Sequence, residues 1–387
     1  MTGKLNIAEV VATFPPYHGG MGYVCYHNAR ELARRGHSVT VFTLEHGRLS
    51  YDADPREFAI VRLRTPLLMG DGGIVPQLCC LLRKFDVVHL HYPFYGGAEY
   101  TAFASFLSKV PLLLTYHMDV FGNTLLKRLL IGMYETLFMK ATIHRADRIG
   151  ALTREHLNSS KIAGFMDRSR IVEIPNGVDE ERFRPREKDR ALVERHGLQG
   201  KTVILFVGNL QPFKGLHLLI EALAGIRDGT LMLLVVGGGY REDEYRRQVR
   251  ELNMTDRVIF AGPQSPDENL PAYYNLGDVL VLPSTHSEAF PLVVLEAFSS
   301  GIPVIVSSLP GPSGIVDDGR DGLIAQAGSV NDLRDKILYL VSHREERRAW
   351  GDAGRGKVLS RYSWSRVGGV LEQHLLDLCA RPADPLR

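Results

Sequence analysis

The chain has 387 residues, 45% of them hydrophobic and 23% charged, with a formal net charge of +2. That length suits about two domains, each able to bury its own core, and so small a net charge excludes a chain-wide nucleic-acid footprint, which needs a strongly basic domain. The 38 glycines follow no fixed period, which excludes collagen-like and low-complexity architectures.

The strands and helices alternate from the start. Strands are expected at residues 5–13, 38–43, 59–63, 87–91, 111–116, 149–152 and 171–174, with a helix at 20–36. A second series has strands at 203–207, 231–236, 257–261, 279–282 and 304–306, and helices at 215–226 and 291–300. Alternation of this kind builds βαβ units around a parallel sheet, so two doubly wound α/β units stand in tandem. Residues 176–200 are charged and strandless, and are read as the connector. After Ala327 the pattern is helical, and a last helix at 365–378 follows the aromatic pair Tyr362 and Trp364.

Cys25, Cys79, Cys80 and Cys379 lack zinc-type spacing and are expected to be reduced. Residues 1–6 lead into an apolar strand without a signal-peptide pattern, and no run reaches the ~18 uncharged residues that span a bilayer. The expected location is cytoplasmic.

Ligands of open parallel sheets bind beyond the carboxyl ends of the strands, so the loops there carry the functional reading. The first strand is followed by Phe14-Pro15-Pro16-Tyr17-His18-Gly19-Gly20-Met21-Gly22, a glycine-rich turn opening a helix, where backbone amides favour a phosphate or sugar oxygen. Plain strand-to-helix packing explains such a turn equally well. It is neither the dinucleotide fingerprint nor the Walker phosphate loop, which disfavours phosphoryl-transfer NTPases.

In the second half, Gly208-Asn209-Leu210-Gln211-Pro212-Phe213-Lys214-Gly215 sets a lysine at a helix start, where acidic residues are the usual choice. A diphosphate suits that place. The segment Ser287-Glu288-Ala289-Phe290-Pro291-Leu292-Val293-Val294-Leu295-Glu296 sets one carboxylate just before a helix and a second one inside it, suited to a sugar and to a ribose.

Three other features compete for attention. Asp52-Ala53-Asp54 matches a metal-binding D-x-D pattern but lies in a loop before an isolated strand. His89 and His91 share one strand face without a third ligand at motif spacing. Residues 124–148 combine Leu125, Leu126, Leu129, Leu130, Met133, Leu137 and Phe138 with Lys127, Arg128, Lys140 and Arg145, a pattern that fits either an anionic membrane surface or core packing.

Taken in order, the Gly19-Gly20 loop with residues 36–41, Tyr116-His117-Met118-Asp119, Pro175-Asn176-Gly177-Val178-Asp179, and Lys214 with the Glu288-to-Glu296 block resemble the family 4 retaining glycosyltransferases over nearly the whole chain. The resemblance implies an α/β GT-B fold, two tandem Rossmann-like domains with an interdomain cleft. Its acceptor domain would be 1–185, its nucleotide-sugar domain 186–364, and residues 365–387 a helix crossing back to the first.

It further implies a catalytic set of His117, Glu288 and Lys214. The donor would be bound by Gly19, Gly20, Asn209, Gly262, Pro263, Phe290, Pro291, Leu292 and Glu296, with Asp119 on the acceptor side. The implied reaction moves a hexose, with retention, from a UDP- or GDP-linked sugar to a hydroxyl of a glycan, lipid-linked or small-molecule acceptor. Polysaccharide, glycolipid or small-glycoside biosynthesis is the implied setting, with no metal and no resident cofactor. Apart from the resemblance, the small net charge speaks against a nucleic-acid partner, and the basic run 124–148, where it does not pack in a core, fits peripheral contact at the inner membrane face.

Three positions depart from the family pattern. Asn209 stands where arginine is usual, and Ala289 and Pro291 where glycine is common. Lys214 and the nearby amides must then suffice, or another base such as Arg241 must substitute. A non-catalytic sugar-nucleotide-binding or partner subunit on the same fold is the alternative; a sugar-nucleotide epimerase is disfavoured by the E-x7-E block.

Overall fold

The computed structural model describes residues 3–16, 19–46, 56–122, 124–265, 269–286 and 288–380, which leaves Asp52 and Asp54 outside the described residues. The chain divides into two compact units: residues through Asn176 together with the chain from Trp364 onward, and Gly177–Ser363.

In the first unit the strands are β1 (Asn6–Val10), β2 (Ser38–Leu44), β3 (Ala59–Leu63), a small hairpin of β4 (Leu68–Met69) and β5 (Gly72–Gly73), then β6 (Val87–Tyr92), β7 (Leu112–Tyr116), β8 (Arg148–Ala151) and β9 (Ile171–Glu173). Seven of them form one parallel sheet in the order β3-β2-β1-β6-β7-β8-β9. Alternate residues serve two cores: Ala8, Val10, Val88 and Leu90 pack on one face, Ile7, Val11, Val41 and Val87 on the other. A sheet covered on both faces explains the near-continuous apolar runs in the sequence.

The second face is closed by the helix Gly20–Arg34 and by the terminal helix Trp364–Ala380, which inserts Leu371, Leu375 and Leu378. Arg35 and His37 each meet Glu372 of that helix at 3.0 Å, and the Trp364 ring stacks on His27 at 4.4 Å.

The second unit holds β10 (Thr202–Val207), β11 (Leu231–Val236), β12 (Val258–Gly262), β13 (Val279–Leu282), β14 (Val304–Ser307) and β15 (Gly322–Ala325). They form a parallel sheet in the order β12-β11-β10-β13-β14-β15, in which the winding reverses between β10 and β13.

Residues 177–200 are part of this second unit. Phe183 is buried against Tyr274, Arg355 donates to the carbonyls of Glu180 and Phe183, and Asn275 bonds the backbone of Arg184 and Arg186. One anchoring aromatic among many charges explains why the stretch reads as a connector. The helices Ala98–Ser108 and Glu242–Glu251 and strand β15 escape sequence reading; the first is apolar on most sides, the second almost wholly charged, and β15 is only four residues long.

Candidate active site

The winding reversal between β10 and β13 opens a crevice at their carboxyl ends, the usual ligand position in such sheets. Two loops meet there. The Thr285 amide donates to the Phe213 carbonyl at 2.7 Å, and Gly215 has φ +75°, in the left-handed region, where any Cβ would collide with the Pro283 carbonyl oxygen. Glycine at 215 thus permits the contact that brings residues 214 and 288 together.

The Lys214 ammonium lies 2.5 Å from Glu288 Oε2, and the Ser284 hydroxyl donates to the same oxygen at 3.0 Å. Both charged side chains are mostly buried, at 18% and 9% exposure. Glu288 precedes the helix Leu292–Ser299, whose cap residue is Pro291 rather than a first-turn residue. The side chain of that cap residue makes no hydrogen bond to the first turn of the helix. Gly311 packs directly beneath the carbonyls of Glu288 and Ala289.

Glu296 lies one turn into that helix, half-buried, with the Tyr274 hydroxyl donating to Oε2 at 2.5 Å. Burial pushes its carboxyl up to about 7, against the opposing pull of the Tyr274 hydrogen bond and the Arg182 charge. Burial also drives the Tyr274 phenol well above its usual range, helped by the neighbouring Glu296 charge.

The remaining second-unit candidates line the ends of adjacent strands. Asn209 is exposed beyond β10, and Leu210 bonds the Gly238 carbonyl beyond β11. Gly262, with φ +72°, accepts from the Gly237 amide, and Pro263 packs against Gly238. Arg241 follows the same β11 loop, but its guanidinium is engaged by Glu244 at 2.5 Å. Phe290 is buried, its ring 6.2 Å from that of Tyr362.

In the first unit, Gly20 opens the helix Gly20–Arg34 with open space above its Cα, and Gly19 is the cap residue. The close approach is at Gly22, where a Cβ would press on the Thr13 carbonyl. His117 follows β7 and is buried, its amide bonded to the Tyr92 carbonyl at 2.8 Å. Asp119 accepts from the Tyr116 hydroxyl and from the Lys161 amide, so one of its oxygens holds the loop in place.

Sequence reasoning missed Tyr274 and Ser284, which orient the two glutamates, and Glu9, which bonds His89 and His91 from β1. A charged residue at the centre of an apolar strand was the available signal for Glu9.

Residues 189–357 match the family described as Glycosyl transferases group 1, and residues 18–182 match Glycosyltransferase Family 4. A D-inositol 3-phosphate glycosyltransferase of Nocardia farcinica is 30% identical over 388 residues, covering 92% of this chain and 84% of that one. A GDP-mannose-dependent alpha-(1-6)-phosphatidylinositol monomannoside mannosyltransferase of Mycobacterium tuberculosis is 26% identical, covering 96% and 98%. Among solved structures, Anabaena Alr3699/HepE in complex with UDP shares the fold, with a TM-score of 0.81 at 18% identity over 96% of this chain and all of that one. The chain therefore belongs to the family 4, group 1 glycosyltransferases and has their GT-B fold of two parallel-sheet α/β domains.

Proposed function

We propose that the chain transfers a hexose from a UDP- or GDP-linked donor to a hydroxyl acceptor with retention of anomeric configuration and without a metal ion. The observation that carries this reading is the Lys214–Glu288 pair at the β10–β13 reversal, with Glu296 on the helix that Glu288 precedes. A cation and the start of a helix suit the negative charge that grows on a departing diphosphate, which is the stabilisation a metal supplies elsewhere. Glu288 suits a sugar hydroxyl and Glu296 the ribose.

The acceptor oxygen bonds to the anomeric carbon as the bond from that carbon to the phosphate oxygen breaks, and the acceptor proton passes to the leaving phosphate on the same face. Such a step asks the protein for positioning and charge stabilisation. The relatives' names point to polyol or glycolipid acceptors, and GDP-mannose is the first donor to try.

A panel of UDP- and GDP-hexoses with inositol phosphate and phosphatidylinositol mannoside acceptors tests the reading, with the product anomer read by NMR and EDTA added in parallel. At least one donor should turn over, with the donor's anomeric configuration kept and the rate unchanged by EDTA. Inversion or loss of rate in EDTA overturns the corresponding part. Tight nucleotide binding without turnover under any condition would favour a binding subunit instead.

A peripheral site on the cytoplasmic membrane face is the second part of the proposal. None of the residues of the helix Leu125–Tyr134 is buried, which removes core packing as the explanation of its leucines. Leu125, Leu129 and Leu137 are 78%, 66% and 59% exposed, and Phe103, Phe106 and Leu107 of the helix Ala98–Ser108 add to the exposed apolar surface. Lys127, Arg128 and Lys140 are exposed on the same segment, so an anionic bilayer matches both components. Among the described residues no helix is long and apolar enough to cross a membrane.

Replacing Lys127 and Arg128 by glutamine should lower partitioning to phosphatidylglycerol vesicles by about 30-fold, at about 1 kcal/mol per basic residue. Sedimentation of the two proteins with such vesicles measures it, and equal binding would refute the membrane role.

A further inference from the structure

At the reversal point of the first sheet, between β1 and β6, lies a chain of buried titratable side chains that the proposed donor chemistry leaves unused. Register places Glu9 of β1 opposite His89 of β6, and His91 opposite Thr115 of β7. His91 Nε2 is 2.8 Å from Glu9 Oε2, and His91 Nδ1 is 2.9 Å from His117 Nε2. His89 Nδ1 lies 2.9 Å from Glu9 Oε2, and its Nε2 lies 2.8 Å from the Thr115 hydroxyl. These five side chains are at most 4% exposed.

The direction of each hydrogen bond follows from what its ends can do. An ionised carboxylate only accepts, so the Nε2 of His91 must carry a proton. A neutral imidazole protonated there has a bare Nδ1, which can only accept, so His117 must donate from its own Nε2. Neutral His117 then presents a bare Nδ1. His89 leaves this order untouched, because its Nδ1 donates to Glu9 whether the ring is neutral or charged.

The charge states agree with that order. Burial opposes the Glu9 charge, but the charge of His89 and the hydrogen bonds from His89 and His91 outweigh it and hold the carboxyl at about 2. Burial, then the charge of His89, brings His91 down to about 4 against the pull of Glu9. Burial, then His91, His89 and His156, keeps His117 well below its usual value.

We propose that Glu9, acting through His91, locks His117 in the tautomer with its proton on Nε2, so that its bare Nδ1 accepts a hydrogen bond from a hydroxyl of a sugar or polyol ligand. The ligand part of this statement rests on the place of His117 in the catalytic set that the family resemblance implies; the tautomer does not. A phosphate oxygen or a carboxylate has no proton to give such a nitrogen, so the position selects a neutral polyol group. Glu9 and His91 are positioning residues and touch no substrate.

Long-range 1H–15N spectra of the ligand-free wild-type protein, labelled at histidine, read the tautomer directly. The His117 signals are identified by their loss in His117→Gln, or through correlation to the backbone amide if that variant does not fold. One tautomer, protonated at Nε2, is expected from pH 6 to 8; an Nδ1-protonated ring or an imidazolium at pH 7 overturns the proposal. In Glu9→Gln the amide can donate as well as accept, so His117 should show both tautomers and kcat should fall about 3- to 10-fold, the worth of one neutral hydrogen bond.

Affinity for UDP or GDP alone should be unchanged in that variant. A single unchanged tautomer in folded Glu9→Gln also overturns the proposal, and if Glu9→Gln does not fold the wild-type spectrum alone decides. Because the spectrum is taken without donor, failure to bind any nucleotide sugar would refute the ligand role and leave the tautomer result standing.

Discussion

Lys214→Ala is expected to weaken nucleotide-diphosphate binding by about 10- to 150-fold, the worth of one charged hydrogen bond of roughly 1.5–3 kcal/mol. Asn209 offers no charge, and the Arg241–Glu244 pair is far more exposed than the Lys214–Glu288 pair, so its charge is the more screened by solvent. Lys214 therefore carries the electrostatic part of diphosphate recognition in the proposed site. The variant also strips Glu288 of its cation and leaves that mostly buried carboxylate with only the Ser284 hydroxyl, so a diphosphate would meet an uncompensated negative charge.

The double variant Lys214→Ala/Glu288→Gln separates the two effects. It should bind UDP or GDP more tightly than Lys214→Ala and still turn over more slowly than wild type, because the sugar contact is lost as well. Calorimetric titration with the nucleoside diphosphates measures both variants. Binding by Lys214→Ala within twofold of wild type would remove the lysine from the site.

Glu296→Gln is expected to stabilise the ligand-free protein above pH 7 while weakening its hold on nucleotide. The Glu296 carboxyl is displaced upward from its ordinary 4.5 to about 7, with burial the largest cause. The folded state thus holds that proton more tightly than the unfolded chain does. The stability this confers is complete below about pH 4.5 and is lost as pH rises through about 7, a total of about 3 kcal/mol at most. Glutamine cannot ionise and escapes the loss, while its amide oxygen still accepts from the Tyr274 hydroxyl.

Thermal midpoints should therefore coincide for variant and wild type near pH 4.5 and diverge in favour of the variant at pH 8. Nucleotide affinity should move the other way, since a carboxylate accepts from two ribose hydroxyls and an amide from one. A variant less stable than wild type at pH 8 would contradict the assignment. The residue is then an instance of binding function maintained against stability.

Much of this was readable beforehand, and the reason is burial. Strands covered on both faces spell themselves out as apolar runs, which is why β11 and β13 begin and end where their sequences suggest. Lys214, Glu288 and Glu296 stood out because charge at a strand end or in an apolar helix is unusual. Their pairing was not legible: residues 214 and 288 meet only because β10 and β13, far apart in sequence, are neighbours in the sheet. The period of two put His89 and His91 on one face, yet their carboxylate partner lies 80 residues earlier, on a strand whose neighbour no local pattern identifies. For the leucines at 125–137, amphipathic spacing shows that one face is apolar, and only the packed structure shows that nothing in the described chain covers it.

The terminal helix Trp364–Ala380 has a consequence for the order in which the molecule can be made. Leu371, Leu375 and Leu378 belong to the core that Ile7, Val11 and Val41 begin, so the first unit waits for the last helix to leave the ribosome. Meanwhile Gly177–Ser363, a compact unit contiguous in the chain, is synthesised whole before that helix. On the ribosome the second unit is thus the one that can finish first, and the nascent first unit keeps an open apolar flank until residues 364–380 have been made.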